Sequence, residues 1–248
     1  MNISFFEEFP TEENLGKIKL IPKSFNTKIY IVSHSLSEFR GFEEKLKIPL
    51  VYWPVLENKE GYWISPFTKR RALQRVLNEV RNEKIELMLD LENPTHAKHL
   101  YFTESLNFFR NKRFIKEFVD TNGHKLVLIE LPGIEKRLKF WGLTYESETA
   151  AVAKMVYTSL IGKLDRKGMV EKLRHFCEVG VKKYGNRFKM GLGCTAIGVG
   201  GSEPILTPDE FEEDLKIVKE FGVNEVIIFR LGGLNEEYVK RCRKVIES

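Results

Sequence analysis

Short apolar segments rich in Val, Ile, Leu, Phe and Tyr recur along the chain, and most are followed by a stretch with apolar residues at helical spacing. This alternation constrains the fold more than any other feature. The apolar segments cover 2–10, 28–34, 48–56, 85–94, 124–133, 139–147, 187–196 and 224–233. Helical patterns cover 37–46, 65–84, 95–118, 146–162, 165–185, 207–222 and 234–247. In 65–84, Ser65 is the expected N-cap with Pro66 at the first helical position; in 207–222, Thr207 and Pro208 take those places. Strands that alternate with helices pair in parallel through right-handed crossovers. Eight such units predict a (β/α)8 TIM barrel, with an open doubly wound sheet as the rival. The chain's 248 residues suit one such barrel. With no Pro/Gly/Ser-rich linker, one domain over 1–248 is expected. Strands 5 and 6 are the irregular place, because "GIEKRLKF" between them is short for a crossover helix.

Charge excludes more than it identifies. The 40 basic and 35 acidic residues leave a net charge of +5, and most alternate along helices as solvated faces do. The nearest thing to a basic stripe with aromatics is "FFRNKRFIKEF" at 108–118, read as an amphipathic helix with Phe109, Phe114 and Phe118 partly buried. No nucleic-acid partner follows. Neither does a membrane partner, since no run reaches the roughly 18 apolar residues of a span. Cys177, Cys194 and Cys242 have neither disulfide nor metal spacing. The N-terminus lacks a signal peptide's basic and apolar regions. A cytoplasmic, reduced setting is expected, with no cofactor and no metal. A single Gln among many Glu and Lys leans toward a thermophilic source.

In a parallel barrel the chemistry lies at the C-terminal strand ends. There "MLDLENP" carries two carboxylates, Asp90 and Glu92, inside an apolar run. Side chains alternate across a strand, so Met88, Asp90 and Glu92 share one side and Leu89 and Leu91 the other. With the leucines under helices, the acids face the barrel axis. About 6–7 Å apart in a low-dielectric site, they cannot both ionise comfortably, and one is left protonated as a general acid must be. Further candidates lie at other strand ends: Glu7 or Glu8 on strand 1, His34 on strand 2, Glu130 on strand 5, Tyr145 and Glu146 on strand 6, and Arg230 on strand 8, which either meets substrate or forms a structural pair with one of these acids. The long segment after strand 3 adds Tyr52, Trp53, Tyr62, Trp63 and Phe67, and strand 6 adds Trp141. Aromatic faces stack on sugar rings; equally, such a loop packs as a hydrophobic lid.

The Asp-x-Glu pair ending strand 4 resembles barrel glycoside hydrolases of the chitinase and lysozyme types. Chitinases end this strand with Asp-x-Asp-x-Glu; here Met88 replaces the first Asp, and strand 8 offers Phe229 and Arg230 where a tryptophan is usual. The resemblance implies Glu92 as acid, Asp90 as support for the substrate acetamide, and Tyr145 as the assisting tyrosine. Glu8, Glu130 or Glu146 would supply a second carboxylate. The expected partner is a small-molecule or oligosaccharide substrate. Two other classes compete. Gly191, Gly193, Gly198, Gly200, Gly201, Gly232 and Gly233 follow or end strands 7 and 8, where barrels often bind phosphate, which points to an isomerase or lyase on a phosphorylated metabolite. No inward lysine suits a Schiff base: Lys139 and Lys189 lie at the wrong strand ends. The same acids with His34 could ligate a divalent cation, though no spacing supports one. The remaining class is a non-catalytic barrel that binds a saccharide or a protein.

Overall fold

The computed structural model describes residues 1–160 and 165–248. Eight parallel strands close in chain order into a barrel, β1 to β8, alternating with helices. The strands are β1 (Asn2–Glu7), β2 (Ile29–Ser33), β3 (Leu50–Pro54), β4 (Leu87–Leu91), β5 (Leu126–Glu130), β6 (Ala151–Met155), β7 (Phe188–Gly193) and β8 (Glu225–Phe229). The helices are α1 (Glu12–Gly16), α2 (Leu36–Lys45), α3 (Arg70–Val80), α4 (Leu100–Thr103), α5 (Phe108–Asn122), α6 (Glu135–Trp141), α7 (Arg166–Tyr184), α8 (Pro208–Glu220) and α9 (Glu236–Glu247). No helix among the described residues is long and apolar enough to cross a membrane.

The irregularity expected near strands 5 and 6 is a shift of identity. Segment 139–147, read as a strand, is the end of α6 and the loop after it. Segment 146–162, read as a helix, contains β6; Ile161 and Gly162 at its end lie outside the described residues. Ala150, Ala151 and Ala153 favour a helix by propensity, yet Val152, Ala153, Met155 and Val156 are a buried apolar run of strand length. Gly142 stops α6 in the left-handed conformation, φ 66°, and its N–H bonds to the Leu138 and Lys139 carbonyls. The Ser65–Pro66 start is also overturned. Ser65 closes a turn with Thr68, whose hydroxyl accepts its N–H at 2.9 Å, and α3 begins at Arg70. At α8 the expected start is present: Thr207 and Glu210 form a reciprocal capping box with Pro208 in the first turn.

Two compact units divide the chain: Met1–Ile31 with Ala153–Ser248, and Val32–Val152. In the first, α7 fixes which strand faces are which. The Phe188 ring packs so closely on α7 that a side-chain carbon at Gly180 would collide with it. Phe188, Met190 and Leu192 therefore face the helices, and Lys189 faces the axis. Register carries this assignment across the unit. Lys189 and Asn2 both pair with Glu225, Ser4 with Ile227, and Phe6 with Phe229 and Tyr30. The axis side thus holds a buried polar knot at the start of β8. Glu225 binds the Lys189 ammonium and accepts from the hydroxyls of Ser4, at 2.7 Å, and Tyr30, at 3.0 Å. Burial works to raise the Glu225 carboxyl, but Lys189 and the two hydroxyls outweigh it and hold it below the ordinary range.

In the second unit, Tyr52 of β3 stacks on Phe39 of α2, ring centroids 5.0 Å apart, and so faces the helices. Tyr52 pairs with Leu87, and β4 runs in register with β5 from Leu87↔Leu126 to Leu91↔Glu130. Leu87, Leu89 and Leu91 therefore lie on the helix side; Trp53, Met88 and Asp90 lie on the axis side.

Two outcomes follow. Glu225→Ala strands the Lys189 ammonium and lowers stability by about 3–5 kcal/mol in urea unfolding. Because the folded carboxyl is depressed, the wild-type contribution is present above the unfolded value of about 4.3 and is lost as pH falls through the folded value, so the gap between the proteins narrows in acid. Thr207→Ala removes the capping box and costs about 1 kcal/mol by the same measurement.

Candidate active site

Asp90 is the last axis-side residue of β4 and is 2% exposed; Glu92 follows just beyond the strand and is half-buried. The loop after β3 is tied to this point, since the Ile64 N–H donates to the Asp90 carbonyl at 2.9 Å. That bond brings Trp63 beside the chain that leaves Glu92, where its ring meets His96 at 5.4 Å and Tyr62 at 5.2 Å. The turn is made by Gly61, φ 125°, and Tyr62, φ 55°. Trp53 shares the axis side with Asp90. One unit therefore brings Asp90, Glu92, Tyr62 and Trp63 to the end of β4, with Trp53 on the axis side at the level of Met88. The rings of Trp53, Tyr62, Trp63 and Phe67 are largely covered, at 3–9% exposure, so the loop packs as a lid more than it offers open stacking faces.

Other candidates from this unit lie elsewhere. Tyr52 is in the helix layer, where burial and the charges of Glu79 and Glu38 raise its phenol. Glu130 is on the Leu91 side, fully buried, and accepts the Thr144 hydroxyl at 2.5 Å, so it does not share a face with Asp90. The side chain of His34 is exposed and its N–H donates to Glu38 at 2.7 Å, the bond of a residue that opens α2. Tyr145 and Glu146 are on the loop after α6, not on a strand. Tyr145 is buried, with its hydroxyl bonded to no described group, and burial raises its phenol strongly; Glu146 is exposed and paired with Lys139 at 2.5 Å.

In the first unit the choice between Glu7 and Glu8 resolves by parity. Glu8 shares the side of Ser4 and Phe6, whereas Glu7 pairs with Ile31 on the helix side. Glu7 and Arg230, both expected to meet substrate, hold each other at 3.1 Å, and Glu7 also accepts the N–H groups of Phe9 and Gly232. Burial pushes the Glu7 carboxyl up, against Arg230 and these two amides. Arg230 additionally donates to the Ile197 carbonyl and covers the Phe9 ring at 4.8 Å.

The glycine loop after β7 does gather amides around anions, but the anions are the chain's own. Glu203 accepts from Gly198 at 3.1 Å, Gly200 at 2.9 Å and Ser202 at 3.1 Å, and Glu8 accepts from Val199 at 2.9 Å. Gly201 donates to the Gly198 carbonyl, Gly232 to Glu7 and Gly233 to the Arg230 carbonyl. Gly233 is obligatory for packing: a side chain there would collide with the Thr195 backbone. A phosphate at these loops would find the donors already taken.

Two residues escaped the sequence reading. Glu203 carried no signal beyond its place beside glycines. Tyr157, two residues past β6, stacks on Phe229 of β8 at 5.3 Å and 29°, on the axis side. It was hidden inside the segment read as helix, and it, not Tyr145, is the tyrosine that follows the sixth strand. The cysteines are all buried, which pushes the thiols of Cys177 and Cys242 up to about 12 and that of Cys194 up to about 11. None supplies a thiolate near neutral pH. Among the described residues, no three His, Cys, Asp or Glu side chains group closely enough to hold a metal ion.

No family model matches the sequence, and no curated protein sequence matches it. Solved structures do match in fold. A chitinase from Chromobacterium violaceum ATCC 12472 aligns with a TM-score of 0.59 at 11% identity, over 100% of this chain and 99% of that one. A class V chitininase from Pseudomonas fluorescens Pf-5 aligns with 0.59 at 8% identity, over 99% of each chain. The PgaB (BpsB) glycoside hydrolase domain from Bordetella bronchiseptica aligns with 0.57 at 11% identity, over 98% of each. The chain thus has the TIM-barrel fold that these chitinases and this glycoside hydrolase domain share.

Proposed function

We propose that this protein hydrolyses glycosidic bonds at the end of β4, with Glu92 as general acid and Asp90 supporting the substrate. The observation that carries the reading is the parity of β4. Leu89 and Leu91 go to the helices and Asp90 to the axis, with Glu92 two residues further along the same strand direction. The likeness of the whole chain to chitinase and glycoside hydrolase folds supports placing that pair in this chemistry. In the proposed reaction, Glu92 protonates the departing glycosidic oxygen. As that bond breaks, the acetamide carbonyl oxygen of a chitin-like substrate, oriented by Asp90, bonds to the anomeric carbon; water then opens this ring, giving one proton back to the Glu92 carboxylate and leaving its hydroxyl on the sugar. The lid that carries Trp63 limits bulk water around the breaking bond. With the amides of the glycine loops engaged by Glu7, Glu8 and Glu203, the phosphorylated-metabolite alternative has less support.

A panel of chromogenic glycosides, with and without an N-acetyl group, and of phosphomonoesters tests this. Glycoside turnover is expected, with Glu92→Gln lowering kcat by about 10²–10⁴-fold. Glu92 is half-buried at a strand end, so its thermal midpoint stays near that of the wild type. Phosphomonoester turnover alone, or full activity in Glu92→Gln, overturns the proposal. Saccharide binding without turnover by the wild type assigns the chain to the non-catalytic class instead.

A further inference from the structure

Phe109, expected to be partly buried, is 75% exposed, while Phe118 of the same helix is buried. Phe109 is not isolated. Phe102 and Leu106 precede it by seven and three residues on the turns that lead into α5, and they are 83% and 91% exposed. The patch continues through ring contacts, from Phe109 to Phe108 at 5.2 Å, on to Trp141 at 6.2 Å, and then to Phe140 at 5.2 Å. Phe140 is 59% and Trp141 38% exposed. So large a group of bare apolar side chains on one unit marks a contact surface.

The chemistry around the patch selects the partner. Lys98, Arg110, Lys136 and Arg137 are exposed and make no ion pair with a described residue. A cleft of about 450 Å³ beside Phe109 is lined by Lys112, Arg113, Lys116 and Lys139, with one carboxylate, Glu146, among them. Arg113, Lys116 and Lys139 have carboxylate partners, but in solvated surface pairs that contribute little and exchange readily for another anion. A protein interface would be depleted of charge at its centre. A saccharide would use flat aromatic faces and would gain little from Leu106. Apolar tips interleaved with unpaired cations fit a surface that offers hydrocarbon at shallow depth and anions above it. We propose that this face, built by α4, α5 and α6, docks the protein on an anionic lipid bilayer, with Phe102, Leu106 and Phe109 inserted among the acyl chains and the lysines and arginines on headgroup phosphates. The proposal is independent of the glycosidase reading, and it replaces the expectation of no membrane partner, which rested on the lack of a spanning run and does not bear on a surface contact.

Co-sedimentation of the full chain with vesicles tests it. Binding is expected to vesicles of phosphatidylcholine mixed with phosphatidylglycerol, weak on phosphatidylcholine alone, and diminished by salt as screening requires. The double variant Leu106→Ser, Phe109→Ser abolishes binding, and Lys136→Glu with Arg137→Glu weakens it by about fivefold or more per residue. All four side chains are exposed, and circular dichroism of each variant verifies the unchanged fold. Equal binding to neutral and anionic vesicles, or no binding to either, overturns the proposal. A dimer in light scattering that the Leu106/Phe109 variant dissociates, or tighter binding to a single-stranded oligonucleotide than to vesicles, overturns it equally.

Discussion

A strand in a closed parallel ring has only two directions for its side chains, toward the axis or toward the helices, and the reading of the strand-end site rests on which residues take which. Closure leaves no free edge, so one residue of slippage would exchange the entire set. Two contacts fix the answer. Phe188 lies against α7 where Gly180 leaves room, and Tyr52 stacks on Phe39. The first places Lys189, Ser4, Phe6 and Glu225 on the axis; the second places Trp53 and Asp90 there. The same rule removes Glu7 and Glu130 from the axis, although both sit at strand ends and carry the right functional group.

The axis side of the first unit is graded along its length. At the start of β8 the charges are matched and hydrogen-bonded, with Lys189, Glu225, Ser4 and Tyr30 in one knot. Above them come Phe6, Phe229 and Tyr157 in ring contact. Such a knot is costly to assemble and more costly to break, so it specifies register as much as it stabilises. Beyond these rings, Glu8 follows β1 on the same side.

Much of this was legible in the sequence, for physical reasons that differ by element. Seven of the eight strands were readable because buried strands are continuous apolar runs bounded by turn residues. The Thr207 start of α8 was readable because a capping box is a local pattern. The sixth strand was not, because Ala-rich "AVAKM" has helical propensity and only its place in the ring makes it extended. That single error carried Tyr145 and Glu146 to a strand they do not occupy and concealed Tyr157. The axis-side place of Asp90 was legible from alternation alone. The Glu7–Arg230 pairing was legible only as one of two uses for those charges, because a bond between the first and last strands depends on closure. Phe109 was misjudged because amphipathic spacing does not say where a helix rises clear of its neighbours.

The loop that follows β7 brings its own ligand. Glu203 is covalently attached a few residues from the amides that it caps, so its effective concentration there is millimolar or higher without any encounter from solution. A free anion must compete with a tethered one and then leave that carboxylate without partners. The glycines thus perform the opposite of their usual service at such places: they close a cradle upon a resident side chain and make that part of the rim indifferent to the small anions around it.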